Sequence, residues 1–300
     1  MKPADVTATV VANKALPGRH CLLTVRQEFI ARSFRPGQFA HVVSHSKAEE
    51  RRFIARRGQP SPSAGSFSGL RILRRPFAIA GATDGCIRLL IKVVGAGSAW
   101  LARRKPGQEI TMSGPTGNAF TVRDDLETAL LVGGGTGIAS LLSLCEELRR
   151  RGVRTMAALG TRSLAAFPLE VVMSNHRRAV QEFKSMGADS VLVTEAEDGL
   201  LVTHEAERLM ESLPARASDI FTCGPWAMMA EMARICEARF PCQVSLEQRM
   251  VCGIGACRGC VVKVKEGGGW TYKTVCTEGP VFLADEVVWE TSEVARGIAS

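Results

Sequence analysis

The sequence has no long apolar run. The longest, residues 129–144, is broken by Gly133, Gly134, Gly135 and Gly137 and falls short of the roughly 20 residues that cross a bilayer. The opening Met1-Lys2-Pro3-Ala4-Asp5 lacks the apolar core of a secretory signal. These absences predict a cytoplasmic protein with no membrane partner. Aromatic residues make up only 6% of the chain. Much of the formal charge of +8 sits in one segment, at Arg51, Arg52, Arg56 and Arg57, rather than along a helix with interleaved aromatics. Nucleic-acid binding is therefore not expected; the arginines read as a solvated loop or as help in holding phosphate-bearing cofactors.

Ten cysteines are present, but a disulfide framework belongs to small secreted chains, and this one is neither. Reduced thiols or metal thiolates are expected instead.

A length of 300 residues, 46% of them hydrophobic, suits two domains and a small third module. From Val6 to about Thr121, short β-rich runs (residues 21–25, 39–43 and 87–93) alternate with Gly and Pro punctuation, which predicts a small β-barrel. Between Ser44 and Gly69 the composition turns to Ser, Pro, Gly, Arg and Glu, as in a mobile loop. From Thr128 strand and helix patterns alternate: strands at 129–132, 154–159, 190–193 and 219–222, and helices at 138–150 and about 226–239. That order predicts a parallel sheet with crossover helices. The fold class expected is thus multidomain β plus α/β. Its parts are a β-barrel over residues 1–123, a parallel-sheet nucleotide-binding domain over 124–241 and a metal module over 242–300. No internal repeat is visible.

Four constellations carry chemistry. The first is Cys252-Gly-Ile-Gly-Ala-Cys257-Arg-Gly-Cys260, followed by Cys276. C-x4-C-x2-C with a distant fourth Cys is the spacing of plant-type 2Fe–2S centres. Zinc is the alternative, but zinc sites pair their ligands as two short units, whereas here three cysteines stand together and one alone. The other six, Cys21, Cys86, Cys145, Cys223, Cys236 and Cys242, read as small buried or surface residues, with Cys223 the one to watch.

The second is Gly133-Gly134-Gly135-Thr136-Gly137, a strand running through a Gly-rich turn into a helix. Such a turn can merely connect, or can present helix-start amides to a pyrophosphate. The third, Cys223-Gly224-Pro225, is again a strand end, tight turn and helix start; in a parallel sheet both turns lie at the carboxyl ends of strands and can face one crevice. Met228 and Met229 beyond it read as core. The fourth pairs Arg74-Arg75-Pro76-Phe77-Ala78 with Leu90-Ile91-Lys92 and with Gly97-Ser98, which open a helix predicted over residues 99–104. An Arg before a rigid Pro can pin a phosphate, and paired arginines are also ordinary surface charge. His176 and His204 read as solvent-facing, and no residue is assigned a catalytic acid–base role.

Together the four resemble the ferredoxin–NADP reductase superfamily. The stretch from Ser245 through Cys260, with Val275-Cys276-Thr277-Glu278-Gly279-Pro280, resembles more narrowly the electron-transfer subunit of dihydroorotate dehydrogenase, over essentially the whole chain except residues 44–69. The resemblance implies FAD at Arg75, Pro76, Phe77, Ala78, Leu90, Ile91, Lys92, Gly97 and Ser98. It implies NAD at the two turns (Gly133, Gly134, Gly135, Thr136, Gly137; Cys223, Gly224, Pro225) and a 2Fe–2S cluster on Cys252, Cys257, Cys260 and Cys276. The partner it implies is an FMN-containing catalytic subunit, in a heterotetramer. Two departures stand out: Ala78 where the family has Ser, and the long basic segment before Arg74. A reductase subunit of another flavin and iron–sulfur complex is the rival reading. Thr161-Arg162-Ser163 leaves NAD against NADP open on residues alone.

Overall fold

The computed structural model describes residues 5–45, 74–237 and 239–289; nearly all of the basic segment expected to form a mobile loop lies outside them. Six strands close an antiparallel barrel: β1 (Asp5–Leu16), β2 (His20–Arg26), β3 (Phe39–Val42), β4 (Arg75–Thr83), β5 (Cys86–Lys92) and β6 (Glu109–Thr116), in the order β1-β2-β5-β4-β3-β6. Successive side chains of a strand point to opposite faces. Leu23, Val25, Ala40, Val42, Ile87, Leu89 and Ile91 accordingly fill the barrel, while Phe39, Ala80 and Leu90 point outward and are buried by the rest of the molecule.

Two helices belong to the barrel, α1 (Glu28–Ser33) and α2 (Ala96–Ala102). The latter begins three residues before the sequence reading placed it. The cause is Ser98, whose hydroxyl accepts the amides of Val94 at 3.0 Å and Gly95 at 3.1 Å and so starts the turn at Gly95.

The second body is a six-stranded sheet made of β7 (Thr128–Gly134), β8 (Arg154–Thr161), β11 (Asp189–Thr194), β12 (Ser218–Cys223), β13 (Cys242–Ser245) and β16 (Val281–Leu283), in the order β11-β8-β7-β12-β13-β16. The first five are parallel; β16 runs antiparallel to β13. Helix α3 (Ile138–Arg150) packs on one face with Ile138, Leu141, Leu144 and Leu148. Helices α6 (Val202–Met210) and α7 (Trp226–Cys236) cover the other. The last helix stops at Cys236, short of the Arg239 expected, because Glu237 turns extended (ψ 130) on the way to Pro241 and β13.

A hairpin not foreseen in the sequence, β9 (Val171–Ser174) and β10 (Arg177–Val180), lies between β8 and β11, with the short helices α4 (Gln181–Ser185) and α5 (Glu195–Asp198) flanking β11. Its four-residue strands are too short to show a period.

A last hairpin, β14 (Val261–Glu266) and β15 (Gly269–Thr274), carries the cysteine loop. It does not stand apart: Cys260, Val262, Val275 and Cys276 share one core with the sheet residues Ile220 and Val244 and with Phe39 of the barrel.

Asn118 knots the three parts together. Its side chain donates to the carbonyls of Glu278 (3.1 Å) and Val281 (2.8 Å) and accepts the Val281 amide (2.8 Å), while its own amide donates to Gly279. Truncating Asn118 to Ala leaves half-buried backbone groups unpaired. It is expected to cost about 2 kcal/mol, visible as a lower urea midpoint at unchanged slope.

Candidate functional site

The site begins where two turns meet. Strands β7 and β12 are parallel neighbours, with Gly133 opposite Cys223, so the Gly-rich turn and the Cys-Gly-Pro turn leave the sheet side by side. They touch backbone to backbone. A Cβ on Gly137 would lie 2.5 Å from the Cys223 carbonyl, and one on Gly224 2.9 Å from the Gly134 nitrogen. Gly135 has φ +58, in the left-handed region that favours glycine. Thr136, beside it, is half-buried. Met228 lies over both turns, with Sδ 3.0 Å from where a Gly134 Cβ would be, whereas Met229 is core, as read from the sequence.

Cys223 points away from the crevice. Its thiol is buried under α3, 3.9 Å from the Ser140 hydroxyl, and burial pushes it up to about 12. It remains a neutral thiol, and what the turn offers a ligand is the backbone of Gly224 and Pro225.

The barrel opens next to this crevice. The β4–β5 ladder runs from Thr83↔Cys86 to Ile79↔Leu89 and ends there. Beyond it, residues 75–78 stay with β3 and residues 90–92 with β2. The two arms of one hairpin thus part, each leaving an edge of peptide groups toward the gap. These arms are the two segments singled out in the sequence. Their side chains are largely committed elsewhere: Ile91 is in the barrel core, Phe77 at its rim, and Leu90 and Ala78 in a small cluster with Ala80, Ala139 and Leu142 that joins barrel to α3. Pro76 is half-buried and Lys92 exposed.

At the mouth of the gap, a Cβ on Gly97 would meet Ser44 Oγ at 2.8 Å and Arg75 Nε at 3.7 Å. Only glycine leaves that cradle open. Ser98 beside it is buried, and its hydroxyl is spent on the helix start. Ser44, fully buried, was passed over in the sequence because it opens a segment of loop composition.

The cysteine loop winds through three left-handed residues, Gly253 (φ +68), Gly255 (φ +78) and Arg258 (φ +51). This winding turns amides inward: Gly255 N–H donates to Cys276 Sγ at 3.1 Å, Cys257 N–H to Cys252 Sγ at 3.4 Å and Ile254 N–H to the same sulfur at 3.5 Å. Partial burial would push the Cys252 thiol up, but the amides of Cys257 and Ile254 outweigh it and bring it down to about 7. Cys276 is pushed up to about 11, by burial first and then by Cys260. Glu278 holds the Cys276 turn by accepting from the Thr274 amide (2.6 Å) and hydroxyl (2.9 Å).

The thiols neighbour each other in pairs, Cys252 with Cys257 and Cys260 with Cys276. Among the described residues no three ligating side chains are gathered about a single ion. Two pairs ringed by inward amides suit a two-iron cluster, which takes two thiolates at each iron, better than one tetrahedral zinc.

Comparison with known proteins agrees. The family model for the iron–sulfur cluster binding domain of dihydroorotate dehydrogenase B matches residues 247–288. The electron-transfer subunit of dihydroorotate dehydrogenase B (NAD(+)) from Caldanaerobacter subterraneus subsp. tengcongensis is 35% identical over 74% of this chain and 83% of its own. That of Bacillus caldolyticus is 31% identical over 93% and 97%. The chain belongs to the family of dihydroorotate dehydrogenase B electron-transfer subunits. Among solved structures, an NADH-dependent reduced ferredoxin-NADP oxidoreductase, reported for flavin-based electron bifurcation, superposes with TM-score 0.72 at 26% identity over 94% of this chain and 90% of that one. A ferredoxin reductase of carbazole 1,9a-dioxygenase shares the fold at TM-score 0.58 over 80% of this chain and 67% of that one, with 22% identity.

The matched segment of this electron-transfer subunit begins at Glu247, just after β13, so the family's cluster domain includes β16, which completes the nucleotide sheet. No helix of the described residues is long and apolar enough to cross a membrane.

One residue against the loop carried no signal in the sequence. His41 on β3 is 1% exposed and neither ring nitrogen has a hydrogen-bond partner. Its ring lies against Gly253, where a Cβ would fall 2.4 Å from Nδ1. Burial, then the Arg74 charge, pushes the imidazole down to about 4; the Arg74 and Cys252 backbones lie near enough to act in the opposite direction. A substitution Gly253→Ala therefore meets both a left-handed backbone and a fixed ring. It is expected to release iron from the purified protein, read as bleaching of the visible absorption, while the far-ultraviolet circular dichroism keeps its native shape.

Proposed function

We propose that this chain passes electrons from the FMN of a dihydroorotate dehydrogenase catalytic subunit, through a 2Fe–2S cluster and FAD, to NAD, in pyrimidine biosynthesis. The observation that carries the proposal is the double use of strand β3. Phe39 pairs with Ala78 on the parted hairpin arm and packs into the same core as Cys260 and Cys276.

The role of each residue follows from what it leaves available. Arg75 and Ser44, which lie against Gly97, would hold a phosphate of FAD by charge and hydroxyl donation. The open edges of residues 75–78 and 90–92 would present peptide groups to the flavin ring, with Pro76 and Phe77 stiffening one side. The amides at Gly134, Gly135, Thr136 and Gly137, at the start of α3, would take the pyrophosphate of NAD, and the Gly224-Pro225 turn would close the crevice over it. Cys252, Cys257, Cys260 and Cys276 would ligate the cluster, and the amides of Ile254, Gly255 and Cys257 would stabilise charge on its sulfurs. When bound, FAD exchanges a hydride with a nicotinamide and single electrons with an iron–sulfur centre, which is why it belongs between them. The chain aligns centres and excludes water; nothing in that task demands a general base.

Ala78 contributes no hydroxyl to the flavin edge. We therefore expect Ala78→Ser to shift the flavin midpoint potential by an amount on the order of one hydrogen bond, about 1 kcal/mol, with FAD retained. Equal potentials in the two proteins would remove that role for position 78.

The assembly proposed is a cytoplasmic heterotetramer of two such chains with two FMN-containing subunits, using NAD in preference to NADP. The likeness to the ferredoxin-NADP oxidoreductase supports a second reading, a reductase subunit of another complex. Anaerobic co-expression with the FMN-bearing dihydroorotate dehydrogenase of the same genome separates them. Co-purification with NADH formed from dihydroorotate only when both chains are present is the expected result. FAD and cluster bound, but no complex and no turnover, would leave the reductase and remove the pyrimidine role.

A further inference from the structure

His41, on the strand that pairs with the proposed flavin arm, puts a polar side chain against the cluster loop. Its position is set by register: β3 places it opposite Pro76 on one side and Ser113 on the other. Directly opposed residues share a face, so His41 lies with Pro76 and Phe39 on the outside of the barrel, under the cluster loop. Arg74 flanks it but is held elsewhere, by Asp5 (2.6 Å) and the Ser113 hydroxyl (3.4 Å). The ring is buried with neither nitrogen in a well-formed hydrogen bond, and the backbone groups nearest it are those of Arg74 and Cys252.

A buried imidazole carries at least one N–H in any protonation state, and leaving that donor unpaired costs free energy. The packing leaves the donor a neighbour on the cluster side. The ring is in contact with Gly253, the residue after Cys252, and Cys252 Sγ already collects the amides of Ile254 and Cys257. We infer that His41 is a positioning residue of the electron-transfer path, its ring donating a hydrogen bond to the Cys252 corner of the cluster while its backbone is part of the strand that holds Pro76. It fixes the loop against the flavin-bearing arm and raises the affinity of the cluster for an electron, because donation to an iron–sulfur shell stabilises the more negative, reduced state. The inference rests on the cluster and flavin assignments above.

The test is an anaerobic redox titration of full-length protein carrying His41→Leu, which keeps bulk without a donor, and His41→Gln, which keeps a donor. Cluster reduction is followed by electron paramagnetic resonance and flavin reduction by absorbance. The expected result for Leu is a cluster about tenfold harder to reduce at a given potential, equivalent to about 59 mV for a one-electron couple, with the flavin unmoved and with partial recovery in Gln. Loss of iron from Leu but not from Gln is the same result in a stronger form. An unchanged cluster potential in Leu at full iron content, a parallel shift of both centres, or equal damage by Leu and Gln would overturn it. Wild-type protein without iron and acid-labile sulfide would instead overturn the cluster assignment itself.

Discussion

The structure depends on a short strand having two useful faces. In β3, Ala40 and Val42 fill the barrel while Phe39 and His41 face outward to the cluster module, and both edges are paired, to β4 and to β6. Four residues thereby fix the distance between the parted hairpin and the cysteine loop. Electron transfer asks for centres held at constant separation in a dry medium. A strand locked on four sides meets that demand better than a linker would, because packed interiors do not deform continuously. The Asn118 knot and the antiparallel addition of β16 to the sheet act in the same sense, closing the third side of the triangle formed by barrel, sheet and cluster loop.

The same economy explains why glycine rather than a functional side chain dominates the candidate binding residues. At Gly97 and Gly253 an added Cβ would fall within 3 Å of a side chain, Ser44 and His41, and at Gly137 and Gly224 within 3 Å of the backbone of the facing turn. Close approach of two backbones brings peptide amides to a ligand without the entropy cost of ordering long side chains.

Much of this was legible in the sequence. The barrel, the parallel sheet and helix α3 to the residue follow from period, punctuation and spacing, since those signals are local. What was not legible depends on pairs distant in the chain. Ser44 and His41 gain their interest from Gly97 and Gly253, residues 53 and 212 positions away. That Ser98 also starts its helix was hidden for the same kind of reason, its partners at Val94 and Gly95 being backbone groups, invisible to a motif. The β9–β10 hairpin escaped for a different reason, its strands being shorter than the window in which alternation can be counted.

Burial and the access of backbone amides to sulfur act on a thiol in opposite directions. Burial pushes Cys21 up to about 11 and Cys145 and Cys223 up to about 12, and Cys242 rises well above the usual range beside Cys236. Those thiols are small apolar residues that neither oxidise readily nor bind metal, because the reactive form is the thiolate. Cys252 is drawn down, to about 7, where the left-handed winding of its loop turns amides onto the sulfur. Cys276 receives the Gly255 N–H yet is pushed up to about 11, because burial and the neighbouring Cys260 outweigh that amide.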